Sequence, residues 1–505
     1  MRLIKSLLPV LCFLMQVSCV FAAVIRETKS SVFSIDSDYL VEGVGAKNIV
    51  DLDSKNSDDS TSYIGIMYSF GFSYENKERY EKAYLNLERY GPGDYDTPVW
   101  IHRKLINTGG SVAAYRNEQL LPEISEFWYD TLIWKGIGVK TGLFFYEVGN
   151  SYSLNGCFEN PGILLYRSFE KALARFYYCK PLLKYKNRLG PRIPQEWDQG
   201  YHYYPNASNF FSTDVTFDLN AHKVQPYLGV LADYTSPDKR DNLFSQPVKR
   251  DILGTYGLAY TFEKDGFVFK TEAAHNFGEA QAAEVDFKRI EHTGYMLFAE
   301  ADYTIKWFTP KAAFMLASGN SASLESALSQ DTTLGSGKNR AFSTYSPLNR
   351  NLGYALSGSD CDLKPLLFMG NGNGLHSGVL RPGSLVSSDF EDIVMPWLGL
   401  QIDPHEKVSV SVTWFSLHSF SRPVGTLDGQ ARYLSKELGN EVDLTIDYKV
   451  NKHYTVSFLG GYFLPGKYYK EERDDTSGSL LSPFVRGDGG ASPAYQVELS
   501  MELMF

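Results

Sequence analysis

The sequence predicts an all-β fold, a transmembrane antiparallel β-barrel of about 18 strands with short periplasmic turns and long extracellular loops. Three features carry this expectation: a secretory leader, a two-residue apolar/polar alternation that recurs to the last residue, and a regular succession of short and long connections.

Arg2 and Lys5 form a short positive region, and Leu7 to Val20 is largely apolar without an acid or a base. Val20-Phe21-Ala22 then supplies a small-residue cleavage site, the order expected of a signal peptide. The expected division is 1–22 signal peptide and 23–505 outer-membrane β-barrel, placed in a bacterial outer membrane. A helical anchor would need about 20 apolar residues, and this run is shorter. A lipoprotein signal ending at Cys19 would want an aliphatic residue where Gln16 stands. Charges and glycines interrupt every later apolar run, so a closed barrel is the remaining way to satisfy backbone polar groups in hydrocarbon.

A chain of 505 residues would ordinarily suggest two soluble domains, but large barrels exceed that rule. The net charge of −10, with no strongly basic segment, argues against nucleic acid as a partner. Two of the five cysteines fall in the leader. Cys157, Cys179 and Cys361 remain, an odd set without C-x-x-C spacing, which indicates neither a zinc site nor a disulfide framework. A Cys157–Cys179 bridge stays open.

The alternation is clearest at the end of the chain. Tyr495, Val497, Leu499, Met501, Leu503 and Phe505 share one strand face, and Gln496, Glu498, Ser500 and Glu502 the other. That suits lipid outside and water inside, and a terminal Phe resembles the signal read by the outer-membrane assembly machinery. The same period places strands at 32–41, 62–74, 79–90, 122–136, 138–148, 162–170, 172–184, 209–222, 224–236, 251–264, 267–278, 292–306, 309–319, 396–404, 406–418, 438–450, 453–465 and 494–505. Within each successive pair from 62–74 onward the connection is a few residues. Between pairs it is long, and 320–395 is the longest. Rich in Ser, Gly and Asn, that connection is expected to be an inward constriction, an extracellular lid or a mobile surface loop.

Motifs for chemistry are weak. Gly335-Ser-Gly-Lys-Asn339 lacks the first glycine and the Ser/Thr of a phosphate-binding loop, and Gly370-Asn-Gly-Asn-Gly374 lacks the strand–helix setting of a dinucleotide turn. The acidic run at 51–59 fits no calcium loop of defined spacing. The nine histidines are scattered, with no H-E-x-x-H and no Gly-x-Ser-x-Gly. No catalytic residue, metal site or cofactor is assigned, and no enzymatic activity is expected.

The lumen remains. Projecting the alternation inward gives the bases Lys82, Lys140, Arg167, Arg175, Lys270, Lys306, Lys311 and Lys449. The inward acids include Glu126, Asp130, Asp214, Asp218, Glu272, Glu300, Asp302, Glu441, Asp443, Asp447, Glu498 and Glu502. Ionised groups facing lipid are costly near the midplane, so these should line water or pair with one another. Among them Arg167, Arg175, Lys82, Lys140, Lys270, Lys306, Lys449, Glu126, Asp130, Glu300, Asp302, Glu441 and Asp443 are the candidate pore-lining and substrate-contacting residues. The alternative is a salt-bridged plug that conducts nothing.

The stretch Leu438-Gly-Asn-Glu-Val-Asp-Leu-Thr-Ile-Asp-Tyr448 is followed by Val456-Ser-Phe-Leu-Gly-Gly-Tyr-Phe-Leu-Pro-Gly466. With Pro310-Lys-Ala-Ala-Phe-Met-Leu-Ala-Ser-Gly319, Phe342-Ser-Thr-Tyr-Ser-Pro347 and Asn351-Leu352, it resembles the alginate export family of outer-membrane porins. Asn320 replaces that family's acid after the Ala-Ser-Gly strand end. The resemblance implies an 18-stranded barrel that passes an anionic polysaccharide outward through a basic constriction, with outer-membrane lipid and periplasmic export components as partners. The inward set is richer in acids than in bases, which points away from alginate itself. Two alternatives stand beside export: a substrate-selective uptake porin for small solutes, and a plugged structural or adhesin barrel.

Overall fold

The computed structural model describes residues 23–47, 61–89, 123–134, 136–150, 153, 160–180, 184–185, 202–203, 209–234, 248–282, 289–319, 338–340, 342, 392–428, 430–472 and 491–504. The leader, the acidic run at 51–59, the glycines of both glycine-rich motifs, Cys157, Cys361 and Phe505 lie outside these residues.

Eighteen strands close a single antiparallel barrel. They are β1 (Ser31–Lys47), β2 (Thr61–Asn76), β3 (Glu81–Arg89), β4 (Glu123–Trp134), β5 (Ile137–Phe144) and β6 (Asn160–Ser168). Next come β7 (Ala172–Cys179), β8 (Asn209–Leu219), β9 (His222–Asp233), β10 (Val248–Lys264), β11 (Phe267–Ala282) and β12 (Tyr295–Tyr303). The ring continues with β13 (Phe308–Ala317), β14 (Ile393–His405), β15 (Val408–Ser419), β16 (Glu437–Asn451), β17 (Tyr454–Pro465) and β18 (Ala494–Met504). Each pairs with its sequence neighbour, and β18 returns to β1 in a register running from Asp38↔Met504 to Lys47↔Tyr495. Every predicted strand is present, with ends shifted by a few residues.

The short turns gather on one rim. Asp265 and Gly266 join β10 to β11, both at positive φ (51° and 79°), the two-residue geometry that suits the right-handed twist of a hairpin. β1 begins and β18 ends on that rim, where the Met504 amide donates to the His453 carbonyl in the β16–β17 turn. A short segment, Ala23–Glu27, folds back on the first residues of β1 beyond the reach of β18.

The two faces of the wall differ in chemistry. Tyr256, Leu258, Leu297, Val442, Tyr495 and Val497 are exposed on the outside, while Asp214, Glu272, Glu441, Gln496 and Glu498 are buried inside. Apolar groups that water would disfavour stand where lipid would cover them.

Three predicted boundaries fail for a physical reason. The expected strand 138–148 ends at Phe144, after which the chain leaves the wall and turns inward. The expected strand 292–306 is broken: Ile290–His292 pairs briefly with β11, β12 starts at Tyr295, and Lys306 sits at φ 58° in the β12–β13 turn. The expected strand 172–184 ends at Cys179. Of connection 320–395, Lys338–Asn339 runs parallel to Glu291–His292, and Phe342 is buried against the rim. Apart from Arg340, its other residues before Asp392 lie outside the described set. Cys179 is a buried free thiol, so the bridge to Cys157 is not formed here.

Candidate functional site

A segment that sequence alternation assigns to the wall folds into the interior instead. After Phe144, residues 145–150 and Ser153 cross inward and bind the inner faces of strands from β7 to β11. Tyr146 donates from its hydroxyl to Asp214 Oδ2 (2.8 Å), and its ring stacks on Tyr177 at 4.2 Å. The Gly149 amide donates to Gln225 Oε1 at 3.2 Å. Glu272 then receives four donors: the Asn150 amide (2.8 Å) on Oε2, and the Ser153 amide (3.2 Å), the Ser153 hydroxyl (2.6 Å) and the Tyr227 hydroxyl (2.7 Å) on Oε1. A fully buried carboxylate is stable only when its lone pairs are filled, and here the inserted segment fills most of them. Gly149 stands at φ 67°, where a Cβ would lie 3.0 Å from Glu272 Oε2. Glycine is required both by the left-handed backbone and by the close approach.

Arg175 faces inward, as expected, and is engaged. Its Nε lies 3.0 Å from both oxygens of Asp214, Nη2 donates to the Glu147 carbonyl at 2.9 Å, and the guanidinium lies over the Tyr146 ring. Gln225 donates to the same Asp214 from Nε2 (2.9 Å). The arginine therefore joins the inserted segment to the wall.

A second group lies on β3 to β6. Lys140 Nζ sits 3.8 Å from the centre of the Trp128 ring and 4.7 Å from that of Phe144. Trp128 donates from Nε1 to Glu126 Oε2 (3.0 Å), and Tyr166 donates from its hydroxyl to Asp130 Oδ1 (2.7 Å). Asp130 is directly opposite both Lys82 and Lys140 in register, and Lys82 also pairs with Glu75 at 3.4 Å. Lys270 is opposite Glu300, and Asp302 opposite Lys311. Glu441 and Asp443 are buried on the inner face of β16. Lys449 lies on the same face but exposed, close to the short-turn rim.

Two expected lumen residues are elsewhere. Arg167 shares the outer face of β6 with exposed Ile163 and Leu165, its guanidinium over the Phe169 ring at 5.0 Å, beside the short turn. At that strand end it is Tyr166, bonded to Asp130, and not Arg167 that faces inward. Lys306 belongs to a turn and not to the wall. Gln225, Tyr146, Gly149, Asn150 and Ser153 were not anticipated; the Gly149-Asn150 pair is the turn signal that could have marked the inward bend.

The closed ring, its apolar exterior and its ionised interior define a multi-pass outer-membrane β-barrel of porin architecture. No family model matches the chain, and no curated protein matches it. Solved structures similar in fold include OccAB4 of Acinetobacter baumannii, at 9% identity and TM-score 0.49, covering 95% of this chain and 99% of that one. OpdQ of Pseudomonas aeruginosa is similar at 8% identity and TM-score 0.47, covering 94% and 97%. OpdK of the same organism, solved with vanillate, has 8% identity and TM-score 0.47, covering 93% and 98%.

The alginate-export expectation is corrected. The similar solved structures are Occ and Opd proteins, and among the described residues the inward bases Arg175, Lys82 and Lys140 are engaged by acids, a carbonyl or aromatic rings and form no free basic constriction. Export of an anionic polysaccharide falls with it.

Proposed function

We propose that this barrel is a substrate-selective channel for the uptake of small solutes, with no enzymatic role. The observation that carries this reading is the inserted segment at 145–153, held at Asp214, Gln225 and Glu272. A pinned segment narrows the lumen and sets a size limit, which suits compact solutes and opposes a bulky polymer in transit. Conserving a polar, hydrogen-bonded inner surface at the narrowed level gives the path its chemical preference. In this reading residues 1–22 are removed as a signal peptide, and the terminal strand is the part read by the assembly machinery.

The test is swelling of proteoliposomes in solutes of graded size. Small solutes should enter at rates that fall steeply with size, and polymers should be excluded. Equal passage of large polymers would refute the reading. One observation favours a second reading: Phe144, Tyr146, Phe342, Phe463, Tyr468 and Tyr469 form part of a buried cluster among the inner wall and its attached loops. If that cluster seals the lumen, the barrel is structural, and no solute will enter at all.

A further inference from the structure

We infer that the lumen selects cations, and that the solutes it admits carry ammonium or guanidinium groups in preference to carboxylates. The inference rests on the channel reading above and adds the charge of the solute.

Arg175 is bound to Asp214 and to a backbone carbonyl. Lys140 lies against two aromatic rings with Asp130 opposite, and Lys82 pairs with Glu75. Lys270 and Lys311 each stand opposite a carboxylate. None of these leaves an unopposed positive charge to hold an anion in passage.

The wall of β16, β18 and β1 is different. Asp443 and Glu498 face inward there and are engaged; beside them Asp447, Glu502 and Asp38 face inward too, with Lys449 at the rim as the base on the same stretch of β16. Asp38 lies two positions along β1 from Leu40, which stands opposite Glu502, and Asp447 lies across β17 from Ser500, two positions from Glu502 on the same face. Asp38 Oδ1 has no hydrogen-bond partner among the described residues. Small groups on β17 separate these side chains: Gly461 stands opposite Asp443 and Ser457 opposite Asp447. Carboxylates placed side by side repel, and mobile cations between them relieve that repulsion. A cleft lined by one sign of charge, with low-dielectric walls, concentrates the opposite ion.

The experiment uses the purified full chain in planar bilayers across a KCl gradient. The reversal potential should report K+ over Cl− permeability of roughly tenfold, the lower end of the enrichment such a cleft produces. Asp447→Asn with Glu502→Gln, which removes repulsion and so leaves folding intact, should bring the ratio close to one. In proteoliposomes, 1,4-diaminobutane should enter faster than succinate. A conducting barrel that prefers Cl−, or whose ratio ignores the double substitution, overturns the inference alone. A folded barrel that passes no current overturns the channel reading and this inference with it.

Discussion

The backbone amide of Asn150 donates to the carboxylate of Glu272 at 2.8 Å, joining the inserted segment to a strand 122 positions away in the chain. The contact sits at the centre of a small polar knot, since Ser153 and Tyr227 converge on the same carboxylate.

Replacing Glu272 by Ala should free the segment without unfolding the barrel. Two backbone amides lose their acceptor, each at about 1–3 kcal/mol when left buried and unpaired, while the Ser153 and Tyr227 hydroxyls are left with each other. The segment should detach and hydrate, raising single-channel conductance and open-state noise. Unchanged conductance would show that the segment does not bound the path.

Gly149→Val attacks the same contact from the other partner. The left-handed backbone costs an L-residue about 1–2 kcal/mol, and a β-branched side chain also meets Glu272 and Ala259. Protease added on the long-loop side should then cut within 145–153, while wild type resists. Gly149→Asn, which tolerates the backbone but not the crowding, should be cut at an intermediate rate.

Arg175→Ala should destabilise more than its exposure suggests, because it strands the buried Asp214. Removing one member of a buried ion pair costs about 3–5 kcal/mol. The urea midpoint for loss of the fast-migrating unheated gel band should fall, and Arg175→Ala combined with Asp214→Ala should recover part of the loss. An unchanged midpoint in the single variant would mean that Asp214 is satisfied by Tyr146 and Gln225 alone.

The chain between Phe342 and Asp392 should be dispensable for folding. The amides of both flanking residues donate to the same Ser318 carbonyl, at 2.8 and 3.2 Å, so the ends to be joined are already adjacent. Substituting 343–391 by a short Gly-Ser linker should leave a heat-modifiable barrel. Loss of the unheated fast band would show that this stretch contributes to the wall.

Most of the barrel was legible because alternation is a local signal enforced at every residue by lipid on one side. Strand β16 shows this well: Val442 and Tyr448 face out while Glu441 and Asp443 are buried inside. The signal weakens where lipid no longer acts. Beyond Phe144 the residues Tyr146 and Val148 keep the two-residue pattern, yet the surface they cover is protein and not membrane, so the pattern survives after the strand has ended. At the short-turn end of β6, Arg167 reaches past the apolar band, and a charge there says nothing about which side it faces. The partners of Glu272 are the least legible of all, because Asn150 and Tyr227 come from distant parts of the chain and two of the donors are backbone amides, which carry no residue identity.

The seam between β1 and β18 has a bearing on how the molecule is made. Asp38 meets Met504, so the ring cannot shut on any shorter piece of the chain than the whole run from β1 to β18. Until that last partner arrives, the growing wall has two raw edges whose amides and carbonyls would be stranded in hydrocarbon, at several kcal/mol for each. Pairings of such long sequence separation are also slow to find unaided. Insertion must therefore be a late, nearly all-or-none event, in which an unfinished sheet is kept from the bilayer or has its edges occupied by something else.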